Sequence, residues 1–529
     1  MKSHLKEVIS KILDIDPELV EIEIPKDCKN GDYSSNICLK MAGKLKKNPN
    51  EIGQELIDKI TDPKIEKIEV KSGFLNFYLK STFLFDNLNK ILKEEEDYGK
   101  NNLGNGKKIN LEYVSANPTG TLHIGHARGA AYGDSMARIL KYCGYDVTRE
   151  YYINDGGNQI NNLVESIKIR YQNINGEDIP LPEDAYHGKE IIEVAKNIYD
   201  KYGNKATDDI FRSYGLDYLL KEIKADLKNF RSEFDVWFSE KSLYDQGKID
   251  EVLNKLTKLG YTYLEDGALF LKTSLFNDTK DRVLVKTDHT NTYLLPDIAY
   301  HMDKYGRNYD MLIDVFGADH HGYIPRLKAS LEMLGLDSNK LSVKILQMVR
   351  LIKDGTEIKM SKRTGKSLTM NDLIKEVGTN AVRYFFAARS LDTQMDFDLD
   401  LATKKSNENP VYYVSYAHAR ICSILKDYDK EIDYDLNYKT IDSDIARNLL
   451  FKLYQFEDIV KLSSSNLEPH IITNYVYDLA TMFHSFYAQE KILTDDETYT
   501  KERINLIKAI KIVIKNSLDL IGVEAPDKM

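Results

Sequence analysis

Cysteine is scarce in this chain. Only Cys28, Cys38, Cys143 and Cys422 occur among 529 residues, and no two of them form a C-x-x-C pair. That scatter excludes a disulfide-stapled scaffold and points to reduced, buried thiols. Long hydrophobic runs are missing as well: nothing approaches the roughly 20 apolar residues of a membrane span. The opening Met1-Lys2-Ser3-His4-Leu5 lacks the pattern of a secretory leader. A soluble cytoplasmic chain with no membrane partner is therefore expected. Internal repeats and low-complexity tracts are absent, and so is an excess of positive charge. Lys+Arg 73 against Asp+Glu 83 gives a net charge of -10, so a polyanionic partner such as RNA must dock on local basic patches while the remaining surface repels it.

What is present is length and a hydrophobic content of 42%, enough for about three packed domains. Residues 1–104 read as a small α/β module, with a helix at the start, a strand over 20–24, helices over 37–45 and 51–60, and alternating strands across 65–79. Lys93-Glu-Glu-Glu-Asp97 and then Gly99, Gly104 and Gly106 loosen the chain. Residues 105–400 open on a strand at 109–114, a turn-rich Ser115-Ala-Asn-Pro-Thr-Gly120 and a small-residue helix over 124–143. This is the first unit of a doubly wound, Rossmann-type parallel sheet, in which ligands sit at the carboxyl ends of strands. A second strand is expected at 147–152. An insertion at about 165–280 carries amphipathic helices and a hairpin around Asp266-Gly267, and the core is expected to resume at 282–285 and 311–315. From 401 to 529 helical apolar spacing recurs over 412–425, 445–459, 471–487 and 503–521, which predicts an all-α bundle.

Two strings carry chemistry. His123-Ile-Gly-His126 places two imidazoles at i and i+3 on the first turn of the predicted helix, where free N–H groups and the helix dipole attract phosphate. Gly125 permits close approach there, and the imidazoles are suited to donate to charge developing on an α-phosphate. Lys359-Met360-Ser361-Lys362-Arg363 follows a hairpin turn at Asp354-Gly355 and precedes Gly365. A loop able to move can bring lysines to a departing pyrophosphate at the moment its charge accumulates. His320-His321 invites a zinc reading, but no further ligands at metal-site spacing accompany it, and no metal centre is expected.

In that order and so far apart, the two strings resemble the ATP signatures of class I aminoacyl-tRNA synthetases. The longer stretch Glu112-Tyr-Val-Ser-Ala-Asn-Pro-Thr-Gly-Thr-Leu-His-Ile-Gly-His126 resembles the arginyl-tRNA synthetases, in their bacterial form, over essentially the whole chain. Agreement extends through Arg149–Asp155, Tyr293–His301, Gly317–Arg326, Asn409–Arg420 and the ending Gly522-Val-Glu-Ala-Pro-Asp-Lys-Met529. The resemblance implies a ligase that activates L-arginine with ATP and transfers it to tRNA(Arg), with Mg2+ carried by the nucleotide. His123, His126, Lys359 and Lys362 would be catalytic, and Gly125, Met360 and Ser361 would complete the ATP site. Glu112, Ser115 and Asn117 would contact the substrate amino acid. Tyr293 and Asp297 would grip its guanidinium, which offers a planar fork of donors to one carboxylate. Either Asp319 or His320 would add a further contact.

For tRNA, the resemblance implies contacts from Phe74 and Asn76 in the amino-terminal module and from Tyr412 and Tyr416 at the head of the bundle. It also implies a monomer, and activation of arginine only once tRNA is bound. An editing site is not expected, because lysine or a neutral isostere would leave the Asp297 carboxylate incompletely paired. Two other readings are weighed against this one. A tRNA-binding paralogue without catalysis is disfavoured by the intact signatures, and a synthetase for an apolar amino acid is disfavoured by Tyr293 with Asp297.

Overall fold

Alternation across residues 65–79 produces a hairpin at the amino end of the chain. With β1 (Tyr33–Ser35) along its edge, β2 (Ile65–Lys71) and β3 (Phe74–Leu79) pair antiparallel in the order β1–β3–β2. The turn places Ser72 at φ 52° and Gly73 at φ 79°, the left-handed region that favours glycine. Helices Ile37–Leu45 and Pro49–Lys59 pack beside this sheet. The strand expected over 20–24 shrinks to one bridge, Glu23 to Ser34. A 3-10 turn at Pro17–Leu19 precedes it and Pro25, which has no N–H to donate, follows it. The computed structural model describes all residues of the chain except 184, 359–367 and 435.

The middle of the chain is a five-stranded parallel sheet. Its strands are β4 (Lys108–Glu112), β5 (Asp146–Ile153), β6 (Val236–Ser239), then, after a separate antiparallel set of β7 (Thr262–Glu265), β8 (Ala268–Leu271) and β9 (Arg282–Val285), β10 (Met311–Gly317) and β11 (Leu341–Leu346). The order is β11–β10–β4–β5–β6. Two expectations are corrected here. Residues 236–239, placed within the insertion, form the edge strand of the core sheet. Residues 282–285, placed in the core, extend the β7–β8 hairpin instead, because Leu284 buries with Leu271, Leu294 and Leu295 in a satellite cluster. The helices Gly157–Ile174, Lys189–Tyr202 and Asp208–Asn229 between β5 and β6 bury Ile160, Leu163, Val194, Ile198 and Phe211 in a further cluster of their own.

The helix Ile124–Tyr142 lies flat on the sheet because its residues are small. A Cβ at Gly133 would stand 2.1 Å from the Tyr113 ring. Farther along, the Tyr132 hydroxyl donates to the Leu467 carbonyl at 2.9 Å, joining this helix to the carboxyl-terminal bundle. A hairpin of β12 (Val349–Lys353) and β13 (Thr356–Glu357) turns at Asp354-Gly355 with φ 51° and 68°, as the Asp-Gly pair predicts. The last strand, β14 (Met395–Asp398), runs parallel to β12.

The bundle comprises helices Pro410–Tyr428, Asp444–Tyr454, Phe456–Asn466, His470–Gln489 and Glu497–Leu520. The single helix expected over 445–459 kinks at Gln455, where Phe456 turns in against Tyr98 and Tyr475. Among the described residues no helix is long and apolar enough to cross a membrane.

The first and last units are tied by one buried carboxylate. Asp32 is 4% exposed, accepts two hydrogen bonds of 2.8 Å from the Arg447 guanidinium, and accepts the Leu79 N–H at 2.7 Å. Replacing Asp32 by alanine strands that guanidinium and one strand-end donor, so urea unfolding should report a loss of about 3 kcal/mol. A loss below about 1 kcal/mol would mean that the pair is solvated.

Candidate active site

The first signature begins where the chain leaves β4 through a strained turn. Val114 and Ser115 both adopt positive φ, 69° and 38°, a conformation rare for a β-branched residue and persistent only where neighbours enforce it. Here Ser115 enforces it, since its hydroxyl donates to Glu112 Oε1 at 2.9 Å and accepts the Tyr152 N–H at 3.1 Å. Eight residues on, His123 caps the helix Ile124–Tyr142. Its Nδ1 accepts the Gly125 N–H at 3.1 Å, and His126 Nδ1 accepts the His123 N–H at 3.1 Å. The two rings stack with centroids 3.7 Å apart. A ring that accepts at Nδ1 and is neutral carries its proton on Nε2, so both histidines are set as Nε2–H donors. Gly125 makes room for this: a Cβ there would stand 3.0 Å from the His123 ring.

The second signature joins the first through its flank. Thr369 bridges His123, and the Met370 N–H donates to the Leu122 carbonyl at 2.7 Å. Thr369 also caps the helix Met370–Val377. Lys359, Met360, Ser361 and Lys362 lie outside the described residues. Of the described residues that flank them, Thr369 and Met370 lie against the histidine turn.

Under the turn, three neighbouring strands each carry a carboxylate in register: Asp314 of β10, Glu112 of β4 and Glu150 of β5. The helix Leu294–Gly306 and the residue after it meet them with Tyr300, His301, Lys304 and Arg307. Lys304 Nζ lies 2.5 Å from Glu112 and 2.8 Å from Asp314, while Arg307 forks onto Glu150 at 2.6 and 2.8 Å. Burial works to lower the Lys304 pKa, but the surrounding carboxylates overcome it and hold the ammonium firmly charged. Glu112, expected as a substrate ligand, is 6% exposed and already partnered by Ser115, Tyr300 and Lys304. Through Ser115 it also braces the turn from behind.

Beside this platform lies an acidic slot. Asp297, partly buried in the first turn of its helix, accepts the Tyr323 hydroxyl at 2.5 Å. Burial raises its pKa, opposed by that hydrogen bond and by the His301 and His320 rings. Glu240, at the end of β6, accepts the Tyr152 hydroxyl at 2.9 Å. Burial pushes its carboxyl up to about 7, with Asp297 and Asp155 adding repulsion. None of Asp155, Glu240 and Asp297 has an ion-pair partner among the described residues. Glu240, Tyr152 and Tyr323 escaped the sequence reading. The clue available for Glu240 was a carboxylate closing a short aromatic strand, Val236-Trp-Phe-Ser-Glu240.

Comparison with known proteins follows the same lines. Residues 87–393 match the family described as tRNA synthetases class I (R), catalytic domain; residues 1–79 match the arginyl tRNA synthetase N terminal domain, and residues 414–529 the DALR anticodon binding domain. A Bacillus subtilis protein named arginine--tRNA ligase is 50% identical over 524 residues, covering 96% of this chain and 94% of its own length. The chain belongs to the arginyl-tRNA synthetase family. A Staphylococcus aureus member is 49% identical over 523 residues, 96% of this chain and 95% of its own. A solved Campylobacter jejuni structure of the family superposes with TM-score 0.80 at 37% identity, covering 85% of this chain and 100% of that one. The Thermus thermophilus arginyl-tRNA synthetase, at 21% identity and TM-score 0.79 over 100% of each chain, shares the fold.

Other expected positions fall as follows in this arginyl-tRNA synthetase. Asn117 is exposed at the mouth of the turn, and Tyr293, 66% exposed, caps the helix one turn before Asp297. His320 lies against Phe316 and Tyr323, on the side of Asp297, whereas the Asp319 carboxylate is 82% exposed. Phe74 is half-buried, but Asn76 is turned inward, 3% exposed, with its amide oxygen accepting the Ser34 hydroxyl at 2.7 Å. The base contact expected of Asn76 is therefore not offered by this arrangement. Tyr412 and Tyr416 stack 6.2 Å apart, and the Arg420 guanidinium lies over Tyr416 and Tyr487. Among the described residues, His418, Cys422 and Asp527 bring donors close enough for a metal ion. Hydrogen bonding accounts for them: the His418 ring meets the Pro526 carbonyl and the Cys422 thiol donates to Asp527.

The cap geometry makes a spectroscopic prediction. In 15N-histidine-labelled protein at neutral pH, two rings should show the Nε2–H tautomer, and Gly125→Ala should perturb both. A Nδ1–H tautomer at either ring would contradict the cap.

Proposed function

We propose that the slot of Asp297, Glu240 and Asp155 receives the guanidinium of arginine. The observation that carries this reading is a cluster of carboxylates with no ion-pair partner among the described residues, in which burial raises the Asp297 and Glu240 carboxyls. The planar fork of a guanidinium supplies several donors and a charge that cannot be neutralised by proton loss, which lysine does not match. As a member of its family the chain is an arginine–tRNA ligase. The arginine carboxylate attacks the ATP α-phosphorus in line, pyrophosphate leaves, and a hydroxyl of the terminal tRNA ribose then displaces AMP from the adenylate. The nucleotide enters as its Mg2+ complex. The enzyme's part is orientation and charge stabilisation. His123 and His126 donate from Nε2 toward the α-phosphate, Lys359 and Lys362 meet the departing pyrophosphate, and Ser115 and Asn117 hold the amino-acid end.

For tRNA, the Tyr412–Tyr416–Arg420 stripe offers stacking faces and a cation of the kind that unstacked bases occupy. An open cleft of about 460 Å³ beside it is lined by Tyr412, Lys405, Lys404 and Arg231, the last two paired with Glu408 and Glu524; these cations are the ones a phosphate backbone would meet there. Phe74, half-buried on the amino-terminal sheet, would make a second contact. The protein works as a monomer in the cytoplasm.

Pyrophosphate exchange with each amino acid, with tRNA present, tests the specificity; exchange with another amino acid in preference to arginine would sink it. Asp297→Asn should raise the arginine KM at least about a hundredfold, a loss of a buried charge pair, while leaving the ATP KM within about twofold. Lys362→Ala should slow adenylate formation with tRNA affinity retained, and an unchanged rate would refute its part.

The pH dependence has a defined sign. With Glu240 near 7, the empty slot is partly protonated at neutral pH and must release that proton to take a guanidinium, so the arginine KM should fall as pH rises through about 7. Between the usual value of 4.5 and about 7 the folded chain binds more protons here than the unfolded one, so this group's contribution to stability diminishes as pH rises. Bound arginine should restore it, giving a larger arginine-induced rise in Tm above that window than within it. A pH-independent arginine KM would remove Glu240 from the slot.

A further inference from the structure

His301 sits one helical turn beyond Asp297 and is 2% exposed. Its Nδ1 lies 2.7 Å from the Asp297 carbonyl oxygen, and its Nε2 lies 2.8 Å from Asp314 Oδ2. A carbonyl only accepts. Asp314 likewise only accepts while ionised, and its surroundings keep it so. Burial works to raise its pKa, yet the Lys304 ammonium at 2.8 Å and the His301 hydrogen bond hold it far below the usual carboxylate range. A neutral imidazole has one N–H and one lone pair. It would satisfy one of these contacts and oppose a lone pair to an acceptor in the other.

We propose that His301 is a buried imidazolium that positions Asp297 for arginine selection. The inference rests on reading Asp297 as the guanidinium ligand. One N–H fixes the main chain at Asp297, the other ties that turn of helix to β10, and the charge stands behind a carboxylate that burial would otherwise neutralise. The titratable groups facing this pair are Tyr300 and Lys304 on the same helix, Asp314, Glu112, Glu150 and Tyr152 on the sheet, Glu240 and Tyr244 after β6, and His320 and Tyr323 on the turn after β10. Without the imidazolium, Asp297 holds its proton to higher pH and binds arginine less well where the proton stays on.

His301→Gln keeps an N–H donor and removes the charge. The arginine KM of the variant should rise about tenfold near neutral pH, the equivalent of one unit of carboxyl pKa, with kcat and the ATP KM within about twofold. The ratio of variant to wild-type KM should narrow as pH rises, since the carboxylate ionises regardless at high pH. An unchanged arginine KM, or a loss in kcat with a ratio indifferent to pH, would overturn the proposal and leave His301 a structural residue. If the variant does not fold, 15N-histidine spectra of the wild-type protein decide: one ring should carry protons on both nitrogens at neutral pH, and finding no such ring overturns it. Should the wild-type enzyme fail to use arginine at all, the reading of the slot falls. If it uses arginine while His301→Gln is indifferent, only the role of His301 falls.

Discussion

Carboxylates packed side by side on parallel strands repel one another, and this fold places three of them, Asp314, Glu112 and Glu150, at the ends of adjacent strands beneath its reactive turn. Lys304 and Arg307 convert that repulsion into a lock. Removing one partner from such a network leaves a buried charge unpaired, at about 3–5 kcal/mol, so the helix Leu294–Gly306 has one register on the sheet. The slot inherits its geometry from this. Asp297 belongs to that helix, Ser115 to the turn braced by Glu112, and Glu240 to the strand beyond Glu150, so the groups that would meet the substrate are placed by a shared ionic floor. A hydrophobic interface alone tolerates sliding by a fraction of a turn; paired charges in a dry interior do not.

The polar floor also explains a contrast in protonation. Within the floor, Asp314 and Glu150 meet Lys304 and Arg307, which hold both carboxyls below their usual range. In the slot beside it, Glu240 and Asp297 accept tyrosine hydroxyls and burial raises both carboxyls. Two regions built from the same residue types, a few residues apart in sequence, are thus prepared for opposite tasks: one saturated, the other short of positive charge. A cationic ligand is the natural complement of the second.

How much of this was legible in the sequence follows the range of the interactions involved. The helix start at His123-Ile-Gly-His126 is legible because the cap is local: its bonds from His123 and Gly125 join residues within three positions. The hairpin at Asp354-Gly355 is legible for the same reason, being written in two residues that tolerate positive φ. Glu240, Tyr152 and Tyr323 were missed because they come from three distant segments and share no spacing. Lys304 reads as an ordinary solvated lysine, yet it is wholly buried, and part of the cause is Glu112, 192 residues away in sequence. Short apolar strands carry no mark of the sheet they will join. Val236–Ser239 and Arg282–Val285 were therefore exchanged between core and insertion, settled in the fold by what each buries. Asn76 fits the motif position of a surface contact, but Ser34 opposite it on β1 supplies a partner that draws the amide inside.

The small-residue helix has a mechanical meaning beyond its packing. Nineteen residues of unbroken helix form a strut on the order of 28 Å long, with the paired imidazoles at one tip and, partway along its flank, the Tyr132 bond to the Leu467 carbonyl of the bundle. Gly133 lets it press against the Tyr113 ring of the sheet, where a Cβ would stand 2.1 Å away. A single rigid element thus carries both the paired imidazoles and a tie to the far lobe of the molecule.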